Sequence, residues 1–144
     1  SSVPRRIVLG IDANVLIYAL EGNPEFGPDA KHVLRDSVEN TGCSASELII
    51  MELMARKMNE TTAARLYTWL QKVGIRYQVV TREVLLKAAD LRRSYDFGAM
   101  DSIHVASAMQ AGCTHFVTND RQVLRRKVPG IHIISLKAAA KHIP

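Results

Sequence analysis

The stretch Arg6-Ile7-Val8-Leu9-Gly10-Ile11-Asp12-Ala13-Asn14-Val15-Leu16-Ile17-Tyr18-Ala19-Leu20 changes character at a single residue. Residues 6–11 form an apolar run short enough for a strand buried on both faces. After Asp12, residues 14–20 read as a helix that stops near Gly22-Asn23-Pro24. An acid therefore stands where a buried strand hands over to a helix.

The same alternation continues along the chain. Residues 28–39 pattern as an amphipathic helix, with Ala30, Val33, Leu34 and Val38 apolar. A short strand at 42–45 leads into a long helix to about residue 58, and 61–73 is another helix. Residues 75–80 read as a strand, 81–94 as a helix, and 101–110 as a helix ended by Gly112 in the manner of a C-cap glycine. A strand at 115–118, a short helix at 120–126 and a last strand at 131–134 complete the pattern. Strands alternating with helices imply right-handed crossovers and an α/β fold, a three-layer α/β/α sandwich around a parallel sheet of about five strands. Ligand sites in such sheets lie at the carboxyl ends of the strands, where Asp12 and Asp120 fall.

The 144 residues fit one domain with a sizeable core. Nineteen Lys and Arg against fourteen Asp and Glu give a net charge of +5, which serves solubility or a polyanionic partner such as nucleic acid equally well. Cys43 and Cys113 form no Cys-x-x-Cys pair, and their small, apolar surroundings suggest buried free thiols in a reducing compartment. No apolar run approaches a membrane span, and Ser1-Ser-Val-Pro-Arg-Arg6 is no signal peptide, so a cytoplasmic location without membrane contact is expected.

Asp12, Asp101 and Asp120 each have a plain structural explanation as a helix N-cap. The helix after residue 45 supplies a contrast between two glutamates. Ser44-Ala-Ser-Glu47 has the spacing of a capping box, which accounts for Glu47. Glu52 has no such account. At helical spacing it shares a face with Ala45, Leu48 and Ile49, where an ionised carboxylate needs a partner, and a cation is a good one. Two carboxylates about 4 Å apart repel by roughly 4 kcal/mol at an effective dielectric of about 20, so several in one pocket demand protons or a divalent ion. Oxygen-only ligands favour Mg²⁺ or Mn²⁺ over Zn²⁺. In a basic chain such a cage suggests a nuclease. His104, one turn after Asp101, stands where a metal ligand could, but a polar residue packed on a partly buried helix is the favoured reading. There is no Gly-x-Gly-x-x-Gly loop, P-loop, Gly-x-Ser-x-Gly elbow or reactive-cysteine context.

Strand-Asp12-Ala-Asn14, Ser46 with Glu52, Asp101-Ser-Ile-His-Val-Ala-Ser-Ala and Thr118-Asn119-Asp120 together resemble the PIN-domain ribonucleases, and among them the VapC-like toxins of toxin–antitoxin pairs. The resemblance runs over residues 7–134; Met51 and Met100 depart from it by filling positions often held by smaller residues. It implies an Mg²⁺- or Mn²⁺-dependent endoribonuclease whose acidic quartet is Asp12, Glu52, Asp101 and Asp120. Asn14, Ser46 and Thr118 would be its supporting polar residues, with Asn119 beside them. Independently of the resemblance, Arg121 and Arg125 follow Asp120 closely enough in the chain to touch phosphate. The resemblance also implies an RNA substrate, a homodimer and a cognate antitoxin. A housekeeping RNA-processing nuclease and a non-catalytic binding module of the same fold are the alternatives. A phospho-acceptor receiver domain, which also gathers acids around Mg²⁺, would need an Asp where Val79-Val80-Thr81 stands.

Overall fold

The computed structural model describes residues 7–142. Five short strands, β1 (Leu9–Ile11), β2 (Cys43–Ser46), β3 (Arg76–Gln78), β4 (His115–Val117) and β5 (His132–Ile134), form one sheet in the order β3-β2-β1-β4-β5. Every pairing is parallel, with Leu9 opposite both Cys43 and His115. The helices are α1 (Ala13–Glu21), α2 (Gly27–Asp36), α3 (Leu48–Met54), α4 (Glu60–Lys72), α5 (Arg82–Tyr95), α6 (Ala99–Gln110), α7 (Arg121–Leu124) and α8 (Leu136–His142). They cover both faces, giving the expected three-layer sandwich.

Alternation along β1 builds the two cores. Leu9 and Ile11 join residues of α1, α2, α3, α4 and α8, including Leu16, Val33, Leu53, Leu70 and Leu136. Phe116 of β4 faces the other way, into the packing of α5, α6 and α7 around Val84, Leu91, Val105 and Val123. Gly10 points to that second face and has no side chain for a reason. A Cβ there would lie 2.6 Å from the Cβ of Ala108, so α6 runs directly over β1 only because residue 10 is glycine.

The chain order matters for the site. From β1 the sheet grows outward through β2 to β3, and then begins again on the other side of β1 with β4. The order switches sides between β1 and β4, and in sheets of this kind the ligand crevice lies outside the carboxyl ends of the strands at that point. This order differs from the 2-1-3-4-5 order of receiver domains, which removes that reading.

Several local expectations change. The first strand spans Leu9–Ile11, and Arg6 lies outside the described residues. The capping box at Ser44 and Glu47 does not form. Ser44 is inside β2 and its hydroxyl donates to the Arg76 carbonyl, while Ser46 accepts from the Leu48 N–H at 3.2 Å and opens α3. Ala45 is a strand residue as well, so it shares no helical face with Glu52. The helix predicted to reach residue 58 ends at Met54, before Asn59 caps α4 through the Thr62 N–H. Helix α8 was not foreseen; Leu136 and Ala139 bury its apolar side in the first core.

Cys43 and Cys113 are free and buried. Burial pushes their thiols up to about 12 and about 11, which leaves neither nucleophilic at neutral pH.

Candidate active site

Asp12 follows the last residue of β1, and Thr118, Asn119 and Asp120 follow the last residue of β4. The backbone locks these exits together, with the Asp12 N–H donating to Val117 and the Thr118 N–H to Ile134. Side chains then complete a network around the Thr118 hydroxyl, which is fully buried. That hydroxyl donates to Asp12 Oδ2 at 2.8 Å and accepts from the Asn14 amide at 3.2 Å and the Asp120 N–H at 3.1 Å. Asn14 returns its oxygen to the Asn119 N–H at 3.4 Å. One small hydroxyl thus orients two acids and the asparagine one residue inside α1.

The acids differ in how far capping explains them. Asp12 caps α1 with Oδ1 to the Ala13 N–H, and Asp120 caps α7 with Oδ1 to the Gln122 and Val123 N–H groups. Those caps are real, yet each uses one oxygen; the other oxygen of Asp12 accepts from the Thr118 hydroxyl, which has nothing to do with capping. Asp101 is not a cap: Gly98 holds that position, and Asp101 is the third residue of α6. Its carboxylate gains only the general preference of a helix N-terminus for negative charge.

Electrostatics binds all four acids into one cluster. Burial raises the Asp101 carboxyl above the usual range, and the charges of Asp12, Asp120 and Glu52 push it further up against the opposing pull of His104. Asp12 is raised as well, first by burial and in part by Glu52, while His104, Thr118 and Ala13 favour its charged form. Like charges held together in a half-buried crevice are unfavourable by themselves. Glu52 finds a partner inside the protein: His104 Nε2 bonds its Oε1, joining α3 to α6. Burial works against charge on His104, but the Glu52 hydrogen bond and the charges of Asp12, Glu52 and Asp101 outweigh it and raise the imidazole.

Among the described residues, no three His, Cys, Asp or Glu side chains stand as a ready-made cage for a metal ion. The donor chemistry nevertheless suits a hard divalent cation: carboxylates that repel one another, with hydroxyl and amide groups holding them and no thiolate among them. The remaining predicted residues have other partners or lie exposed at the surface. Ser46 serves the start of α3, and the Asn119 side chain accepts from the Leu136 N–H at 3.0 Å, tying the β4 exit to α8. Arg121 is exposed at the first position of α7. Sequence reasoning missed His104 as the partner of Glu52, although its one-turn spacing from Asp101 was visible. It also missed Gly10, whose signal was a glycine inside an otherwise bulky apolar strand.

The PIN domain family model matches residues 10–128, and the chain belongs to that family. Its fold is also that of solved toxin–antitoxin structures. VapBC2 from Rickettsia felis, bound to a DNA fragment from its promoter, aligns with TM-score 0.68 at 14% identity over 90% of this chain and 98% of the other. A toxin–antitoxin complex from Klebsiella pneumoniae gives 0.69 at 18% identity, covering 90% and 97%. DNA-bound VapBC from Salmonella typhimurium gives 0.68 at 17%, covering 90% and 98%. Comparison with curated protein sequences finds no match. Among the described residues, no helix is long and apolar enough to cross a membrane.

Proposed function

We propose that this protein is a divalent-metal-dependent endoribonuclease acting as the toxin of a type II toxin–antitoxin pair. The observation that carries the nuclease reading is the convergence on Asp101. Its carboxyl is raised first by burial and then by the charges of Asp12, Asp120 and Glu52, which come from the β1 exit, the β4 exit and α3 to the point where the strand order switches sides. Structural caps have no need to crowd one another. A cation-binding site does.

Asp12, Asp101 and Asp120 are the residues that would hold Mg²⁺ or Mn²⁺, with Glu52 beside them under the control of His104. The bound ion would supply Lewis acidity and neutralise charge at the scissile phosphate. The protein's own groups do the rest. Thr118 and Asn14 fix the Asp12 carboxylate so that little ordering remains when a ligand arrives. Arg121 and Arg125, both exposed on and just after α7, are positioned along the chain to meet the RNA backbone, which gives affinity without sequence choice.

The toxin reading draws on the fold shared with solved toxin–antitoxin complexes. A cognate antitoxin that covers the acidic crevice and a homodimer are parts of the same proposal. The test is cleavage of labelled total RNA by antitoxin-free protein with Mg²⁺ or Mn²⁺, with EDTA, and with Asp101→Asn. Discrete products that vanish with chelator and with the variant are the expected result. If the wild type cleaves nothing with either ion and neither ion raises its melting temperature, the metal site is wrong and a binding module of the same fold takes its place.

A further inference from the structure

Glu52 lies on α3, a helix of seven residues, and its side chain is 29% exposed. A glutamate so placed rotates about three bonds and loses considerable freedom if a site requires it in one position. His104, 2% exposed on α6, takes that freedom away through the contact of its Nε2 with Glu52 Oε1.

The other ring nitrogen decides the direction of this hydrogen bond. His104 Nδ1 is buried and has no hydrogen-bond partner. A neutral ring protonated on Nδ1 would bury an unpaired N–H and aim the Nε2 lone pair at a carboxylate oxygen. A ring protonated on Nε2 avoids both faults. His104 therefore donates and Glu52 accepts. This occupies the Nε2 lone-pair direction and encloses Nδ1, so His104 is unsuited to ligate a metal itself.

We infer that His104 is the positioning residue of the acidic site: its Nε2–H holds Glu52 Oε1, leaving Oε2 to serve the cation, so that the two residues act as one unit contributed by α6 and α3. The inference rests on the metal-dependent reading above and adds to it a residue outside the acidic quartet. The same bond fixes α3 against the helix that carries Asp101, so the glutamate's contribution depends on α6 as much as on its own helix.

Two measurements on the full chain test it. Nitrogen-15 spectra of the imidazole in metal-free wild type should show a proton on Nε2, with that signal displaced in Glu52→Gln. A proton found on Nδ1 alone would overturn the inference. Mn²⁺ titrations by calorimetry form the second arm. His104→Leu and Glu52→Gln should each weaken Mn²⁺ binding by about 10-fold or more, as loss of a ligand-orienting partner does. The double variant should be no weaker than the worse single one. His104→Gln, whose amide reaches roughly where Nε2 stood, should recover most of the loss, as a purely space-filling role would not allow. Multiplying losses in the double variant, or no recovery by glutamine, would overturn the positioning role. Failure of the wild type to bind Mn²⁺ at all would instead remove the metal site itself, a distinct outcome. If His104→Leu does not fold, the glutamine variant and the wild-type spectrum still decide.

Discussion

Thr118 donates its hydroxyl proton to Asp12 Oδ2 at 2.8 Å, across 106 residues of chain and between the two strands where the strand order switches sides. Because that hydroxyl also accepts from Asn14 and from the Asp120 backbone, it coordinates three of the groups that define the crevice. A polar side chain with no solvent exposure is tolerable there because its proton and both acceptor directions are used.

Thr118→Val keeps the shape and removes the hydroxyl. It should destabilise the fold by about 1–3 kcal/mol, since the Asp120 N–H and the Asn14 amide lose their acceptor while Asp12 loses a donor. Thr118→Ser should retain most of both stability and cleavage. Urea denaturation beside RNA cleavage checks this, and a valine variant as active as wild type would remove Thr118 from the site.

Asp101→Asn should separate stability from activity. The Asp101 carboxyl is raised by burial and by Asp12, Asp120 and Glu52. A raised acid contributes stability that is present below its unfolded value of 3.8 and lost as pH rises through the folded value. At neutral pH its charge therefore works against the metal-free fold. Replacing it with a neutral amide should abolish cleavage while raising the Tm of the metal-free protein by a few degrees at most, since solvent screens a partly exposed carboxylate. Scanning calorimetry in EDTA reads the effect, and a lower Tm for the variant would contradict it.

Gly10→Ala tests how α6 is seated. The added methyl would meet the Ala108 Cβ at 2.6 Å, closer than two such carbons approach. The helix must shift, taking Asp101 and His104 with it, at a cost of about 1–3 kcal/mol. Ala108→Gly in the same chain should restore much of the stability and the cleavage. No rescue by the second change would mean that the damage arises elsewhere.

The residues whose environment is set by local chain signals were legible in the sequence. The switch from an apolar run to a helix at Asp12, repeated at Asp120, gives both a parallel sheet and the end of it that carries the site. Features set by contacts between distant segments were not. The Ser44–Glu47 spacing mimics a capping box, but pairing with β3 draws Ser44 into the sheet, where its hydroxyl meets the Arg76 carbonyl. Glu52 was recognisable as a carboxylate in need of a partner. That the partner is an imidazole from α6 depends on a helix crossing that no local pattern encodes. Asp101 is reached only through that same crossing, which glycine at position 10 permits.

At the opposite end of the sheet, a histidine pair should make stability depend on pH. His115 and His132 are register partners at the start of β4 and β5, and their rings lie 5.0 Å apart. Burial lowers the His115 pKa, and the nearby His132 and His142 lower it further. For a base whose folded value lies below its unfolded 6.5, the stabilising contribution is complete above 6.5 and is lost as pH falls through the folded value. The folded state resists a proton that the unfolded chain accepts freely. Urea midpoints measured between pH 7.5 and 5 should therefore fall with acidification, and the slope should flatten in His115→Gln, which keeps a polar side chain beside the Thr114 hydroxyl without the titration. The ring is only part-buried, so the change should be modest and should shrink when the neighbouring His132 is also replaced by glutamine. An unchanged slope in both variants would assign the acid sensitivity to other groups, with His104 and its carboxylate neighbours the next to test.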